Sequence, residues 1–242
     1  NMVEWKIPET VVNFAAIPRL LDEPSEADVL LANSTATKKA SELAYNISDI
    51  KVLNPPIINI KPNLPVDDKD NFLLHAARQD RTFLEGELVG FIQKYISRHR
   101  HYTILVNNNK SKKLTLIATK NPNIYAVNHL SDELWNKVLT KARYYLHFKW
   151  FEGFGIATAQ ATMYGAIPIV YKSPFNGSWT DIATLCGGSC AFSTEDDALD
   201  RIGEFENNRY KSRNVRKILM SRMMALSIDN FCSSIKKAIN IV

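Results

Sequence analysis

From residue 72 onward, short apolar runs of strand length alternate with stretches whose apolar residues recur every three or four positions. Residues 72–76, 102–106, 123–127, 144–148 and 167–171 read as strands. Leu84, Leu88, Phe91, Ile92 and Tyr95 share one face of a helix. Ser131 caps a second helix, whose first turn carries Asp132 and Glu133 where the helix dipole favours negative charge. Residues 156–164 form a third, stopped by Gly165 and prevented from resuming by Pro168. Residues 114–119 fit either a strand or a helix. Residues 179–185, 196–205, 209–226 and 229–241 carry helical spacing.

Ahead of this region, residues 28–32 and 50–53 read as strands, and Asn33, Ser34 and Thr35 start a helix that runs to about Tyr45. The stretch from Pro55 and Pro56 through Pro62 to Pro65, followed by Asp67, Asp68, Lys69 and Asp70, is stiff and polar. It predicts a linker, with a boundary between residues 54 and 55. Strands that alternate with helices predict an α/β fold, a Rossmann-like parallel sheet covered by helices on both faces. Such sheets bind ligands at the carboxyl ends of their strands.

Composition narrows the class. With 45% apolar and 23% charged residues in 242, the chain has the make-up of a globular protein with a real core. No apolar run spans a bilayer, and residues 1–28 lack a signal-peptide profile; Asn1 before Met2 reads as an expression scar. Three cysteines, Cys186, Cys190 and Cys232, are too few for a disulfide framework or a zinc site, which fits structural thiols and a cytoplasmic location. A net charge of +5 suits anionic ligands. Its densest runs, Arg98 to His101 and Lys110 to Lys113, lack interleaved aromatics and read as solvated ends rather than a nucleic-acid surface.

The chemistry concentrates at Glu152-Gly153-Phe154-Gly155-Ile156, between a strand and a helix. Side-chain-free residues let the backbone turn sharply and approach a ligand, and the first amides of the helix then point at it with partial positive charge. Glu152, an acceptor only, suits the hydroxyls of a sugar rather than a phosphate. His147, on the strand before it, reads as a satisfied buried histidine. Trp150 and Phe151 read as core. Ser173, Asn176 and Ser178 follow the next strand and fit either a pocket wall or a turn around Pro174 and Gly177.

The stretch from Glu152 through Gly155, Gln160 and Gly165 to Pro168 and Val170 closely resembles the signature of retaining family 4 (group 1) glycosyltransferases. That family writes it Glu-Gly-Phe-Gly-Leu, three residues, Glu-Ala-Met-Ala, one residue, Gly, one residue, Pro-Val-Val. Ala32-Asn33-Ser34, Val52 to Pro56, Ala77-Arg78 after a strand and the segment 123–133 resemble other family landmarks in the same order. The resemblance spans roughly residues 28–242.

It implies the C-terminal half of a GT-B fold, with residues 1–54 closing an acceptor-side domain and residues 55–242 binding the nucleotide sugar. It implies no cofactor and no metal. The expected activity is metal-independent, retaining transfer of a hexose from a UDP- or GDP-sugar to a glycan, lipid or protein acceptor. In that family's terms Glu152 holds the sugar hydroxyls, and the amides of Gly153, Phe154, Gly155 and Ile156 face the sugar and diphosphate. Arg78 neutralises the diphosphate, Leu130 and Asp132 contact the base, and Gln160 holds the ribose in place of a second Glu. The family's lysine falls at Phe83 or Leu84, and Arg81 is expected to reach the same phosphate. The family's catalytic His belongs to the acceptor-side domain, so a partner that supplies this domain, and peripheral membrane contact, belong to the same expectation. The alternatives are a GT-B epimerase or phosphorylase, and a catalytically silent GT-B-like subunit.

Overall fold

The structure, a computed structural model, describes residues 29–57, 69–70, 72–98, 103–107 and 111–238. The predicted positions Pro62, Pro65, Asp67, Asp68, His99 to His101 and Lys110 lie outside them, as do residues 1–28 and 239–242. Six parallel strands form the main sheet: β3 (Phe72–Ala76), β4 (Thr103–Asn107), β5 (Ile124–Val127), β6 (Tyr144–His147), β7 (Ile167–Tyr171) and β8 (Ala191–Phe192). Their spatial order is β5-β4-β3-β6-β7-β8. A separate parallel pair joins β1 (Leu31–Ala32) to β2 (Lys51–Val52).

Strand period sends neighbouring side chains to opposite faces. Leu73, Tyr144 and Leu146 point into one core with Leu88, Phe91, Ile92 and Tyr95 of helix α2 (Glu85–Arg98). Leu114 and Ile117 of α3 (Lys112–Lys120) pack into the same core. So do the apolar faces of α6 (Glu195–Asn207) and α7 (Arg209–Met224). Leu74 and Tyr145 point the other way, onto Leu139 of α4 (Asp132–Lys141) and Ala161 of α5 (Ile156–Met163). The expected two-sided parallel sheet is therefore present. Helix α1 (Thr35–Tyr45) is capped by Ser34 and tied to the main body through Asp181, whose carboxylate accepts from the Thr35 amide at 3.0 Å. Helix α8 (Ile228–Ala238) has no buried residue.

Several expectations resolve or change. Residues 114–119 are helical because Ser111 caps them, accepting from the Leu114 amide at 3.0 Å. The segment 179–185 is a π-helical turn, Ser178–Ile182, followed by a 3-10 turn, Ala183–Cys186. Strand β8 lacks a sequence signal: two residues are too short to show a period. Pro168 sits inside β7. The Ile167 amide donates towards β6 and the Val170 amide towards β8, so the residue without an N–H faces the β8 side before that pairing begins. Cys186 donates its thiol to Cys190 at 2.9 Å, across the turn that their four-residue spacing makes.

Strands β3, β4 and β5 step outward in order; the chain then returns to lay β6 on the other side of β3. The direction of winding reverses between β3 and β6. In a parallel sheet, that is where loops leave in opposite directions and a crevice opens.

Phe91 is fully buried and lies 5.4 Å from Phe148 and 5.6 Å from Tyr95, centroid to centroid. Phe91→Ala should cost about 3–5 kcal/mol in denaturant unfolding. Tyr125→Ser, at a half-exposed position, should stay within about 0.5 kcal/mol.

Candidate active site

The crevice between β3 and β6 holds a cleft of about 390 Å³. Six of the predicted site residues line it: Arg78, Glu152, Gly153, Phe154, Gly155 and Ile156. Arg81, Leu130, Asp132 and Gln160 are not among its lining residues. Arg81 is exposed, and Leu130 and Asp132 stand at the start of α4, on the same carboxyl rim of the sheet. Gln160 faces α4, and its carbonyl accepts from Trp135 Nε1 at 3.3 Å.

The turn that carries Glu152 is clamped to the loop after β7. The Glu152 amide donates to the Phe175 carbonyl at 3.1 Å, and the Gly177 amide donates to the Glu152 carbonyl at 2.9 Å. Asn176, fully buried, holds the same loop, its side-chain amide donating to the carbonyls of Lys149 and Tyr171 at 2.9 Å each. Ser173, Asn176 and Ser178 therefore brace the turn from behind and do not line the cleft. A Cβ at Gly177 would stand 1.8 Å from the Gly153 carbonyl oxygen. Gly155 has φ +85°, and a Cβ there would stand 1.9 Å from Ser178 Oγ. Phe154, which also lines the cleft, buries its ring with Ile57, Ala159, Met163, Ile182 and Met223.

Helix α5 starts at this turn with no side-chain cap. The Ala159 amide is the first to donate along the helix, to the Gly155 carbonyl at 3.0 Å. The amides ahead of it, on Ile156, Ala157 and Thr158, have no partner within the helix and belong to residues that line the cleft. The positive end of the helix thus opens on the cleft beside Arg78.

Sequence reasoning missed the buried centre of the site. Lys149, with its side chain 5% exposed, stands 3.1 Å from Asp80 Oδ2 and 3.2 Å from Glu152 Oε2. The turn after β3 is stapled to the end of β6: Leu84 N donates to Phe148 O and Trp150 N to Thr82 O. That stapling carries Asp80 to Lys149. Burial pushes the Asp80 carboxyl upward, but hydrogen bonds from Thr82 and the Lys149 charge outweigh it and hold the pKa below the ordinary carboxylate value. Glu152 thus has one oxygen on Lys149 and one left to accept from a ligand. A cleft lysine is present, entering from β6 rather than from the positions of Phe83 and Leu84. Its only sequence signal was the spacing Lys149-x-x-Glu152.

His147 is buried, as expected, yet only half satisfied. Its Nδ1 meets Thr158 Oγ1 at 3.3 Å, and Thr158 in turn meets Ser178 Oγ at 2.9 Å. Its Nε2 is buried without a hydrogen-bond partner, and the residue lines the cleft. Burial first, then the charge of Lys149, pushes its pKa down to about 3. His75, behind it on β3, is pushed to about 4, mainly by burial, with its bond to the Leu146 carbonyl opposing. Both rings are neutral at pH 7. Trp150 and Phe151 pack with Ala40 and Phe175, and Phe151 also reaches the cleft wall. Among the described residues there is no group of three side chains able to hold a metal, and no helix long and apolar enough to cross a membrane.

No family model and no curated protein sequence matches the chain. Solved structures do. TarM superposes with a TM-score of 0.70 at 13% identity, covering 93% of this chain and 46% of that one. The trehalose-6-phosphate synthase OtsA gives 0.71 at 12% identity over 97% and 64%. The sucrose-phosphate synthase of Thermosynechococcus elongatus gives 0.70 at 14% identity over 96% and 61%. The chain folds as one half of a GT-B structure. It spans about half to two-thirds of the length of these structures. In this GT-B half, the cleft is the crevice at the point where the sheet's winding reverses.

Gly177→Ala should destabilise the protein by about 1–3 kcal/mol or more in urea unfolding, because its methyl meets backbone rather than a movable side chain. The buried neutral histidines must gain protons on unfolding below pH 6.5, so stability should fall as pH drops from about 6.5 towards 4. His75 alone contributes roughly 2 kcal/mol of loss between pH 7.5 and 5. Urea unfolding at the two pH values, with and without His75→Gln, checks this; a smaller pH difference is expected in the variant.

Proposed function

We propose that the cleft binds a nucleoside-diphosphate sugar and that this chain is the donor half of a retaining hexosyltransferase using a UDP- or GDP-sugar. The observation that carries the reading is the juxtaposition, in one cleft, of an uncapped helix start, the Arg78 side chain and a carboxylate pinned by a buried lysine. One wall offers amides and a guanidinium to phosphate; the other offers an acceptor oxygen to hydroxyls. A nucleotide sugar carries both groups side by side, its hydroxyl-bearing ring bonded directly to the diphosphate. The likeness to sugar transferases of the same fold supports the reading, as does a structure of mutant TarM from S. aureus in complex with UDP.

In this reading the bond between the anomeric carbon and the diphosphate oxygen breaks as the acceptor hydroxyl oxygen attacks from the same face, and the hydroxyl proton passes to the departing diphosphate. The negative charge gathering on the diphosphate is met by Arg78 and the amides of Ile156 and Ala157, already oriented before reaction. Glu152 accepts from sugar hydroxyls and fixes the ring, and Lys149 fixes Glu152. Leu130 and Asp132, on the α4 side of the rim, receive the base, with Gln160 towards the ribose. The acceptor, a glycan, lipid or protein, is held by an acceptor-side domain or by a partner that supplies one, past the wall of Asn33 and Pro55. No cofactor or metal is required. A second reading, a silent subunit that binds nucleotide sugar without transferring it, is favoured by one contact: Trp135 occupies the Gln160 carbonyl.

Calorimetric titration with UDP and GDP tests the donor site. One of them should bind in the micromolar range, and Arg78→Ala should weaken binding by about tenfold or more, the worth of a charge-assisted contact to phosphate. Glu152→Ala should spare the bare nucleotide and weaken the nucleotide sugar. Failure of both nucleotides to bind would remove the donor site. Binding without sugar transfer or donor hydrolysis, in the presence of the acceptor-side domain, would favour the silent subunit.

A further inference from the structure

We propose that Cys186 and Cys190 form a reactive dithiol, an accessible thiol backed by a buried one, that exchanges with low-molecular-weight disulfides and closes to an internal disulfide. The two sulfurs already stand 2.9 Å apart. A disulfide holds its sulfurs about 2.05 Å apart, so closing the bond needs a shift of under about 1 Å. The residues between them are Gly187, Gly188 and Ser189. Both glycines sit at positive φ, +66° and +77°, and a Cβ at Gly187 would meet nothing within 4 Å. Such a turn adjusts at little cost, because glycine adopts either sign of φ and no packed side chain has to move with Gly187.

The two thiols are placed unequally. Cys186 is half-buried at the end of the 3-10 turn. It lines an open groove of about 630 Å³ together with Leu185, Gly187, Asn208, Tyr210 and Lys211. Cys190 is fully buried in the main core, one residue before β8, and its carbonyl accepts from the Val170 amide at 2.9 Å. A disulfide arriving from solvent therefore meets Cys186 and is kept from Cys190. None of these residues lines the donor cleft, so the inference stands apart from the donor reading.

Their ionisation follows the same asymmetry. With both thiols protonated, Cys186 donates to Cys190 or to the Ala183 carbonyl at 3.0 Å. Once Cys186 has lost its proton, Cys190 becomes the donor. That hydrogen bond is the main reason the Cys186 pKa falls to about 6, with burial opposing and Ser189 assisting. Burial, and then the neighbouring sulfur, push Cys190 well above the ordinary thiol value. At pH 7 the exposed partner is the thiolate and the buried partner holds its proton. Lys211, also on the groove, is paired with Glu204 at 2.6 Å, so the second thiol rather than a free cation supports the thiolate.

The exchange balances in two steps. The Cys186 thiolate attacks one sulfur of the small disulfide, whose S–S bond breaks; one thiol leaves and the other stays on Cys186 as a mixed disulfide. Cys190 then loses its proton and attacks the Cys186 sulfur, expelling the second thiol. The protein gives up two electrons and two protons, and the small disulfide is reduced to two thiols.

Incubating the native full chain with millimolar glutathione disulfide, alkylating the remaining thiols and mapping peptides by mass spectrometry tests the site. The proteins are wild type, Cys186→Ser, Cys190→Ser and Cys232→Ser. Tryptic peptide 173–201 carries both sulfurs and not Cys232. In wild type and Cys232→Ser it should lose two hydrogens, take no alkyl label, and regain both hydrogens with dithiothreitol. Cys190→Ser should stop at one glutathione on Cys186. In Cys186→Ser the buried Cys190 should react about tenfold more slowly, or worse, than Cys186 does in Cys190→Ser. The proposal is overturned if the wild-type peptide keeps both thiols, if Cys190→Ser leaves Cys186 unmodified, if Cys190 alone reacts as fast as Cys186 alone, or if the internal disulfide is lost in Cys232→Ser.

Discussion

The cleft depends on one close backbone approach. The loop after β7 must lie against the turn after β6 so tightly that Gly177 occupies the space a methyl group would need beside the Gly153 carbonyl. That contact sets two hydrogen bonds of the Glu152 backbone, and with them the direction of its side chain and the start of α5. Gly155, at positive φ, then turns the chain into the helix without a side-chain cap. An uncapped helix start is a cost in an isolated helix; at a binding site it leaves oriented amides for a ligand to satisfy.

The electrostatics follow from that placement. A lysine side chain almost out of water is tolerable only when paired. Lys149 has two carboxylate partners, one following each of the strands that flank the reversal of the sheet. A lysine so engaged locks Glu152 in place more than it binds anything itself. In the proposed donor site the positive charge for a diphosphate comes from Arg78, at the exposed rim, and from the helix amides. Positioning lies at the buried back of the site and charge compensation at its open front. That division agrees with a reaction in which the sugar must be held still while charge builds on the departing group.

Most of the fold was legible in the chain. Apolar periods marked five of the six main-sheet strands, and Ser131 and Gly165 marked helix ends. The glycine turn was legible as a site because the stretch around it, from Glu152 to Val170, resembles a family signature; a lone Gly-x-Gly reads equally well as a tight turn. β8 was not, since two residues carry no period. Residues 114–119 remained ambiguous because the deciding bond comes from Ser111, a cap rather than a pattern. The site was half legible. Residues near the turn in sequence, Glu152 to Ile156, were found with Arg78. The Asp80–Lys149 pair was not, because it joins segments 69 positions apart whose proximity is set by the crossover between β3 and β6. Gln160 matched a motif position by spacing, but the contact that occupies it, from Trp135, depends on how α4 packs against α5.

A crystal structure of the chain with a bound UDP- or GDP-sugar would decide whether this cleft grips a donor as its geometry suggests. The diphosphate is expected within hydrogen-bond distance of the Ile156 and Ala157 amides and of Arg78, with Glu152 accepting from sugar hydroxyls while still bonded to Lys149. A diphosphate bound away from the start of α5, or a sugar that never meets Glu152, would contradict it.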